Sequence, residues 1–576
     1  MAIASNLVRQ NLRISQQAIT SPIFRIKGQR SRWFYPDERL TPEHCEKMIN
    51  IDISERGVAH SRFGYEPFTE FSLSGTSNYN GYTITGLKEV TYSSGDTRRV
   101  VVGTSSATGS PVTAMWQDQG GRDDYTKTNL TGTNTLTADK SNRIQFEFLN
   151  DKLWISDGVG QLQSWDGNLS NNFVKLEPKL DGSSGSDVFT ACKGMFAHQN
   201  LLLVYGTTEG GTYFPTRLRY CDVDRNTSVL NTNKWTAIHR TEVYDGGTAI
   251  IGAVDNWGKA LVFKEDGLYP GAITYDNLGH FSYQQGQPVR GFSPTGKNSI
   301  IARPEFCCGL AKEGIFVITP DMQYRIVNTD DITDYLKLNQ NRLDKAQVII
   351  REAEHQVRFY VTSDYTVLGA NGEPLLNRSD GDDGFDTVLV WDWETGDTFF
   401  DEVSHQLNCA SSFIDTDGKQ KDWLGATAET ETGLNSGNAF GRIYKGNEPT
   451  VNEDFGTPYN WHIKMSPNDL GLPGRSKHIL NIITLYRRRA GQQRLTFKAN
   501  INEGRDSSYE EEVQLGTNEK FNSGIQFNKG KIWPGTGALR ADVFINRVCE
   551  TISPEWFSTS PASIEGYIVE YIPLDS

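Results

Sequence analysis

No apolar run in this sequence approaches the ~20 residues that a membrane-spanning helix requires. The longest, such as Leu201-Leu202-Leu203-Val204-Tyr205, are only strand-length, so no insertion of the chain into a membrane is expected. Cysteine is sparse. The seven residues, at positions 45, 192, 221, 307, 308, 409 and 549, are an odd number with no C-x-x-C spacing. A secreted disulfide framework needs the opposite pattern, so the expectation is reduced, buried thiols in a protein made in a cytoplasm. The first 30 residues carry charges where the apolar core of a secretory leader would lie, which argues against a signal peptide. Helical periodicity is also scarce, and neither heptads nor a glycine-every-third pattern is present, which excludes coiled coil and collagen.

What is present points to a folded, turn-rich β protein. The 576 residues include 55 Gly, 12 Trp, 23 Tyr and 28 Phe, an aromatic content that disordered chains lack. Net charge is −14, but it is unevenly placed. Residues 1–34 hold Arg9, Arg13, Arg25, Lys27, Arg30 and Arg32 and no acid, a charge of +6 that leaves −20 for the other 542. A basic arm on an acidic body reads either as an interaction segment or as a solvated tail. The interleaved Leu7, Val8, Leu12, Ile14, Ile19, Ile23, Phe24 and Ile26 favour docking. The acidic body argues against tight, sequence-independent grip on duplex DNA, which requires many phosphate-neutralising cations.

The chain divides into four parts: an arm at 1–34, an opening segment at 35–84, a repetitive region at 85–446 and a β-rich region at 456–576. In the opening segment, Thr41 as N-cap and Pro42 at the first helical position predict a short helix from Pro42 to Met48. A strand over 49–53 and a turn at Glu55-Arg56-Gly57 follow. The repetitive region shows an apolar strand, a turn and a second apolar strand, beginning near Leu87, Ile144, Met195, Ala249, Ser299, Gln347 and Cys409. The spacings of 57, 51, 54, 50, 48 and 62 residues are those of propeller blades, and six or seven would close a ring. A pair of β-sandwiches with regular turns is the alternative. The last region alternates as an antiparallel, sandwich-like β domain does. The fold class expected is therefore mainly β: a six- or seven-bladed propeller with an N-terminal arm and helix and a sandwich-like C-terminal region.

Motifs that carry chemistry are missing. There is no G-x-S-x-G, H-E-x-x-H, P-loop or strand-borne G-x-G-x-x-G, and the nine His do not fall at metal-ligand spacing. Asp380 to Gly384 and Asp415 to Gly418 hold clustered acids but do not complete a calcium loop, and Asp and Gly are what tight turns prefer. Trp165-Asp166 and Trp391-Asp392 lack the Gly-His that marks a WD repeat. Arg487-Arg488-Arg489 is either a solvated strand end or a contact to an acidic neighbour. No metal, cofactor or catalytic residue is assigned.

The most specific stretch runs from Leu40 to Tyr65, 26 residues that include Asn50-Ile51-Asp52, Gly57 and Arg62-Phe63-Gly64-Tyr65. It resembles the opening of the tail nozzle proteins of short-tailed bacteriophages, also called tail tubular protein B or packaged-DNA stabilisation proteins. There, a short helix precedes an Asn-x-Asp strand, a Gly turn and an Arg-x-Gly-Tyr exit into a β-propeller. The resemblance implies a virion component, not an enzyme, made in the host cytoplasm and placed in the tail. It implies that six copies form a ring below an adaptor ring, near tail fibre or needle proteins. The ring's channel would hold DNA and pass it at ejection without sequence-specific contact. Asn50, Asp52, Gly57, Arg62, Gly64 and Tyr65 are its motif and interface candidates, and the basic arm would face a protein neighbour. An acidic wall would suit passage, since like charge keeps a duplex mobile. The rival readings are a propeller-based protein that binds or cleaves glycans, and a cytoplasmic propeller scaffold.

Overall fold

The turns show why the middle of the chain is built of strands. Asn150 and Asp151 have φ of 51° and 58°, Gln199 and Asn200 48° and 60°, and Trp257 and Gly258 52° and 69°. Two left-handed residues in succession make the tight hairpin whose twist matches its flanking strands. These hairpins join Gln145–Leu149 to Lys152–Ser156, Ala191–His198 to Leu201–Glu209, and Ile250–Asn256 to Lys259–Lys264. The second strand of each pair is buried along most of its length, which is why it reads as an unbroken apolar run.

The computed structural model describes residues 18–29, 42–53, 58–67, 82–105, 113–119, 126–131, 136, 143–181, 184–223, 230–244, 248–275, 281–327, 340–362, 384–415, 418–426, 443–447, 451–454, 457–487, 493–506, 508–515 and 539–574. Among them there is no α-helix, and the chain is nearly all β. Five antiparallel sheets of four or five strands each follow one another, opening with Tyr82–Thr91, Gln145–Leu149, Ala191–His198, Ile250–Asn256 and Ile300–Ala302. A sixth group comprises Gln347–Arg351, Gln356–Val361, Phe385–Asp392 and the first half of Thr398–Ile414. The second half of that long strand begins a seventh group with Gln420–Ala426 and Ile443–Gly446. The fourth strand of the seventh group comes from the other end of the sequence, Tyr65–Pro67, with Glu453–Asp454 pairing on its far side.

The opening strands of successive groups pack side by side in chain order. Thr398–Ile414 packs on both Gln347–Arg351 and Tyr82–Thr91, so the circuit of opening strands closes on itself. All seven repeat starts read from the sequence fall on, or one residue before, these strands. Aromatic contacts knit neighbouring groups, including Tyr92 edge-on to Trp165 at 5.9 Å and Phe263 against Phe316 at 5.4 Å.

Beyond the circuit, two sheets enclose a second core. One holds Lys477–Tyr486 between Leu539–Cys549 and Ser563–Pro573, continued by Ala59–Ser61 and Ile51–Ile53. The other includes His44–Ile49, Trp461–Met465, Ile552–Ser558, Gln493–Ile501 and Tyr509–Leu515. Trp556 of one sheet lies against Tyr567 of the other at 5.8 Å, and its indole donates to Thr484 Oγ1 at 3.0 Å. This core runs without a break into Val388, Val390, Leu424 and Tyr444 of the sixth and seventh groups. The segments expected as 35–84 and 456–576 thus share sheets.

Two expectations are corrected. His44–Ile49 is a strand, not part of a helix: it pairs antiparallel with Trp461–Met465 and parallel with Lys27–Gln29. Pairing on both sides supplies backbone hydrogen bonds, whereas a helix of about seven residues would bear its nucleation cost alone. The described part of the basic arm, residues 18–29, pairs with its own chain. Ile19–Thr20 and Phe24–Arg25 pair with Ser563–Pro573, and Lys27 forms a 2.6 Å ion pair with Glu43. Arg9, Arg13, Arg30 and Arg32 lie outside the described residues, as does Gly57.

Candidate functional site

Three buried charges sit on neighbouring strands: Arg358 in Gln356–Val361, Asp401 in Thr398–Ile414 and Asp422 in Gln420–Ala426. A buried charge persists only when it is paired and hydrogen-bonded. Here the pairing is dense. Arg358 Nη2 donates to Asp401 Oδ2, and its Nη1 donates to Gln356 Oε1 at 3.0 Å. Arg351 grips Asp422 through two bonds of 2.9 and 2.5 Å, and Tyr360 donates to the same carboxylate at 3.0 Å.

The sequence motif folds directly onto this cluster. Arg62, only 1% exposed, donates Nη1 to Asp454 Oδ1 at 2.8 Å and Nη2 to Asp454 Oδ2 at 2.5 Å. Its Nη2 also reaches the Glu402 carbonyl at 2.8 Å, and the guanidinium lies 4.2 Å from the Tyr459 ring centroid. Asn50 supports it. With φ of 56°, a left-handed value that Asn tolerates better than most residues, it breaks the path between His44–Ile49 and Ile51–Ile53. Its Oδ1 accepts from Arg62 Nε at 2.9 Å and from the Glu402 amide at 2.8 Å, while its Nδ2 donates to the Asn460 carbonyl at 2.6 Å. Asp52 stands at the margin, 3.6 Å from Arg358. Gly64 permits a close approach: a Cβ there would lie 2.0 Å from the Glu453 carbonyl oxygen. Tyr65 is buried and begins the strand that pairs antiparallel with Ile443–Gly446 and parallel with Glu453–Asp454.

The structure therefore brings together Asn50, Asp52, Arg62, Gly64 and Tyr65, and adds Arg351, Arg358, Asp401, Asp422 and Asp454. Three buried guanidiniums oppose three buried carboxylates. Burial alone would raise Asp422, yet Arg351 and Arg358 hold it below its ordinary value. Burial would likewise lower Arg62, but Asp454 overrides it and the guanidinium stays charged. Asp401 differs: burial raises it above the ordinary carboxylate value although Arg358 and Arg62 oppose the shift. The cluster's chemistry is cohesion between residues 50–65, the sixth and seventh groups, and the 451–460 stretch that leads to the C-terminal sheets.

Glu402, beside this balanced set, is the extra acid. Burial, with Asp386 and Asp401 nearby, lifts it to about 7 despite Lys47 and Arg62. A carboxyl raised on folding contributes full stability below its unfolded value near ~4.3, and that contribution fades as pH rises through the folded value. Denaturant unfolding at about pH 5 and about pH 8 should therefore show Glu402→Gln gaining on the parent by roughly 2 kcal/mol at the higher pH. An equal difference at both pH values would remove this group from the pH dependence.

Among the described residues, no group of three or more His, Cys, Asp or Glu is placed to hold a metal. Asp380 to Asp383 and Asp417 fall outside the described residues, while Asp415 faces Lys445 at 3.4 Å. Asp166 and Asp392 cap their own turns, accepting from the amides of Asn168 and of Glu394 and Thr395. Arg487 pairs with Glu565.

The circuit of opening strands encloses an axial cavity of about 670 Å³, lined by Lys88, Glu147, Asp255, Arg303 and Glu352 among others. Asp255 is engaged by His198 at 2.5 Å and Glu352 by Arg303. A second cavity of about 280 Å³ adjoins it and shares Lys297 and Asn298.

No family model matches the chain, and no curated protein matches it. Among solved structures, a fungal alcohol oxidase of the AA5 family in complex with copper is similar at 10% identity over 72% of this chain and 87% of that one, with a TM-score of 0.40. Apo AztD from Citrobacter koseri is similar at 13% identity over 62% and 95%, with a TM-score of 0.28. The catalytic domain of a Coprinopsis cinerea GH62 α-L-arabinofuranosidase is similar at 10% over 67% and 97%, with a TM-score of 0.24. At TM-scores this low, the likenesses carry no argument about this chain.

Proposed function

We propose that the chain is a structural virion protein, the tail nozzle of a short-tailed phage. In this reading its seven strand groups form a seven-bladed β-propeller, and copies of the chain, six by the resemblance, ring a channel that retains packaged DNA and conducts it at ejection. The observation that carries the reading is the motif clamp. The 50–65 run leads into the strand Tyr65–Pro67, the fourth of the seventh group, and through Arg62 and Asn50 ties it to residues 402, 454 and 460. A circuit whose last group is completed from the opposite end of the sequence opens only by breaking sheet pairing. A conduit loaded by packaged DNA requires that resistance; a solvent-facing catalytic groove does not.

The axial cavity of about 670 Å³ is of small-ligand size. A duplex does not fit it, so the conduit in this reading lies between copies, around the symmetry axis of the assembly. The −20 carried by residues 35–576 favours a repulsive wall, of which only carboxylates within about 8 Å of the duplex act at ~0.15 M salt. Partners are the chain itself, an adaptor ring above, and fibre or needle proteins.

Particles assembled without this chain should fill with DNA and then lose it, giving empty heads by electron microscopy. Full retention of DNA by such particles would contradict the reading. Because residues 19–29 belong to the chain's own sheets, docking to a neighbour is assigned to the segment before them. Deleting residues 1–17 should leave thermal unfolding within about 1 kcal/mol of the parent but abolish incorporation into tails. Normal incorporation would refute the arm's role.

A further inference from the structure

The smaller cavity has a charge pattern that the nozzle reading does not use. Arg143, Lys193, Lys297 and Lys345 line it, against two acids, Asp157 and Asp344. Both acids are engaged. Asp157 Oδ1 accepts from the amides of Val159 and Gly160 at 2.9 and 2.7 Å, and Asp344 pairs with Lys345 at 3.0 Å. Lys297 donates to the Lys193 carbonyl at 3.1 Å, a neutral partner, while Asp157 favours its charged form and Lys193 and Lys345 oppose it. Arg143 is buried and directs Nη1 at the Lys345 carbonyl. Burial, aided by Lys193 and Lys345 and opposed by Cys192 and Asp157, brings Lys297 down to about 8, so it is still charged at neutral pH.

Four cations against two acids in a partly open cleft repel one another, and they attract an anion more strongly than the same charges would on a flat surface. We propose that this cavity is a binding site for a small multivalent oxyanion of the phosphate class, held by Lys297 together with Arg143, Lys193 and Lys345. Ammonium and guanidinium donors are the chemistry that recognises phosphate oxygens. The volume of about 280 Å³ suits phosphate or pyrophosphate with a few waters, each taking about 30 Å³. It does not suit a polynucleotide. The site lies within one chain and does not depend on the tail assignment.

The test is calorimetric titration of inorganic pyrophosphate into the full chain at fixed ionic strength. The parent should show one saturable site per chain. Lys297→Met should weaken binding at least about tenfold, the equivalent of about 1.4 kcal/mol. Lys193→Met, at an exposed position where folding is not in question, should weaken it about threefold. Lys88→Met, which alters only the larger cavity, should leave binding unchanged. Absence of saturable binding, or equal binding by the parent and Lys193→Met, would overturn the proposal whether or not Lys297→Met folds.

Discussion

Replacing Arg62 with methionine should destabilise the protein by about 3–5 kcal/mol, the range for removing one partner of a buried ion pair. The reason is what stays behind. Asp454 is fully buried and receives two of its hydrogen bonds from Arg62, and Asn50 Oδ1 and the Glu402 carbonyl also lose a donor. Methionine fills the volume but offers no compensation to the carboxylate. Lysine should recover only part of the loss, because an ammonium cannot make the two parallel bonds that a guanidinium makes. Urea unfolding of the parent and both variants checks this. A loss below about 1 kcal/mol for Arg62→Met would place the pair among exposed bridges of little worth.

The second large effect is expected at Gly64. An alanine Cβ would sit 2.0 Å from the Glu453 carbonyl oxygen, where ordinary contact begins near 3.4 Å. The obstacle is backbone, so relief requires parting Tyr65–Pro67 from Glu453–Asp454. Overpacking commonly costs about 1–3 kcal/mol, and this case belongs at or above the upper end. The damage should also be local in a telling way. Hydrogen exchange at 65–67 and 443–446 should quicken by more than about tenfold while Leu201–Glu209 keeps its protection. Uniform loss of protection, or none, would mean that the Tyr65 strand does not act as the clasp of the seventh group.

The repeats were legible in the sequence because each group begins with a strand, a short connection and a second, largely buried strand, and in three groups the connection is a two-residue turn. That device leaves an unbroken apolar run such as Leu201–Tyr205 and a turn such as Gln199-Asn200, both visible without coordinates. The strand at His44–Ile49 was not legible, since Thr41 and Pro42 signal a helix locally and the partners that override them lie at 27–29 and 461–465. Sequence position likewise hides that Tyr65–Pro67 completes a sheet begun at 407. The clamp was half legible. Arg62 and Asn50 stood out in the motif, but Arg62's partners Asp401 and Asp454, and the neighbouring Arg351–Asp422 pair, did not. A single charge inside an apolar strand, as with Arg358 in Gln356–Val361, was the available signal, because such a charge must find a buried counter-ion. Which carboxylate answers it is a matter of three-dimensional neighbourhood.

The central claim is that copies of this chain assemble into a conduit. Negative-stain imaging of the purified full chain tests it most directly. The account predicts closed rings with a central opening wide enough for a duplex, formed between copies and separate from the narrow axial cavity of each one. Uniform single particles that never form rings, at any concentration, would contradict it.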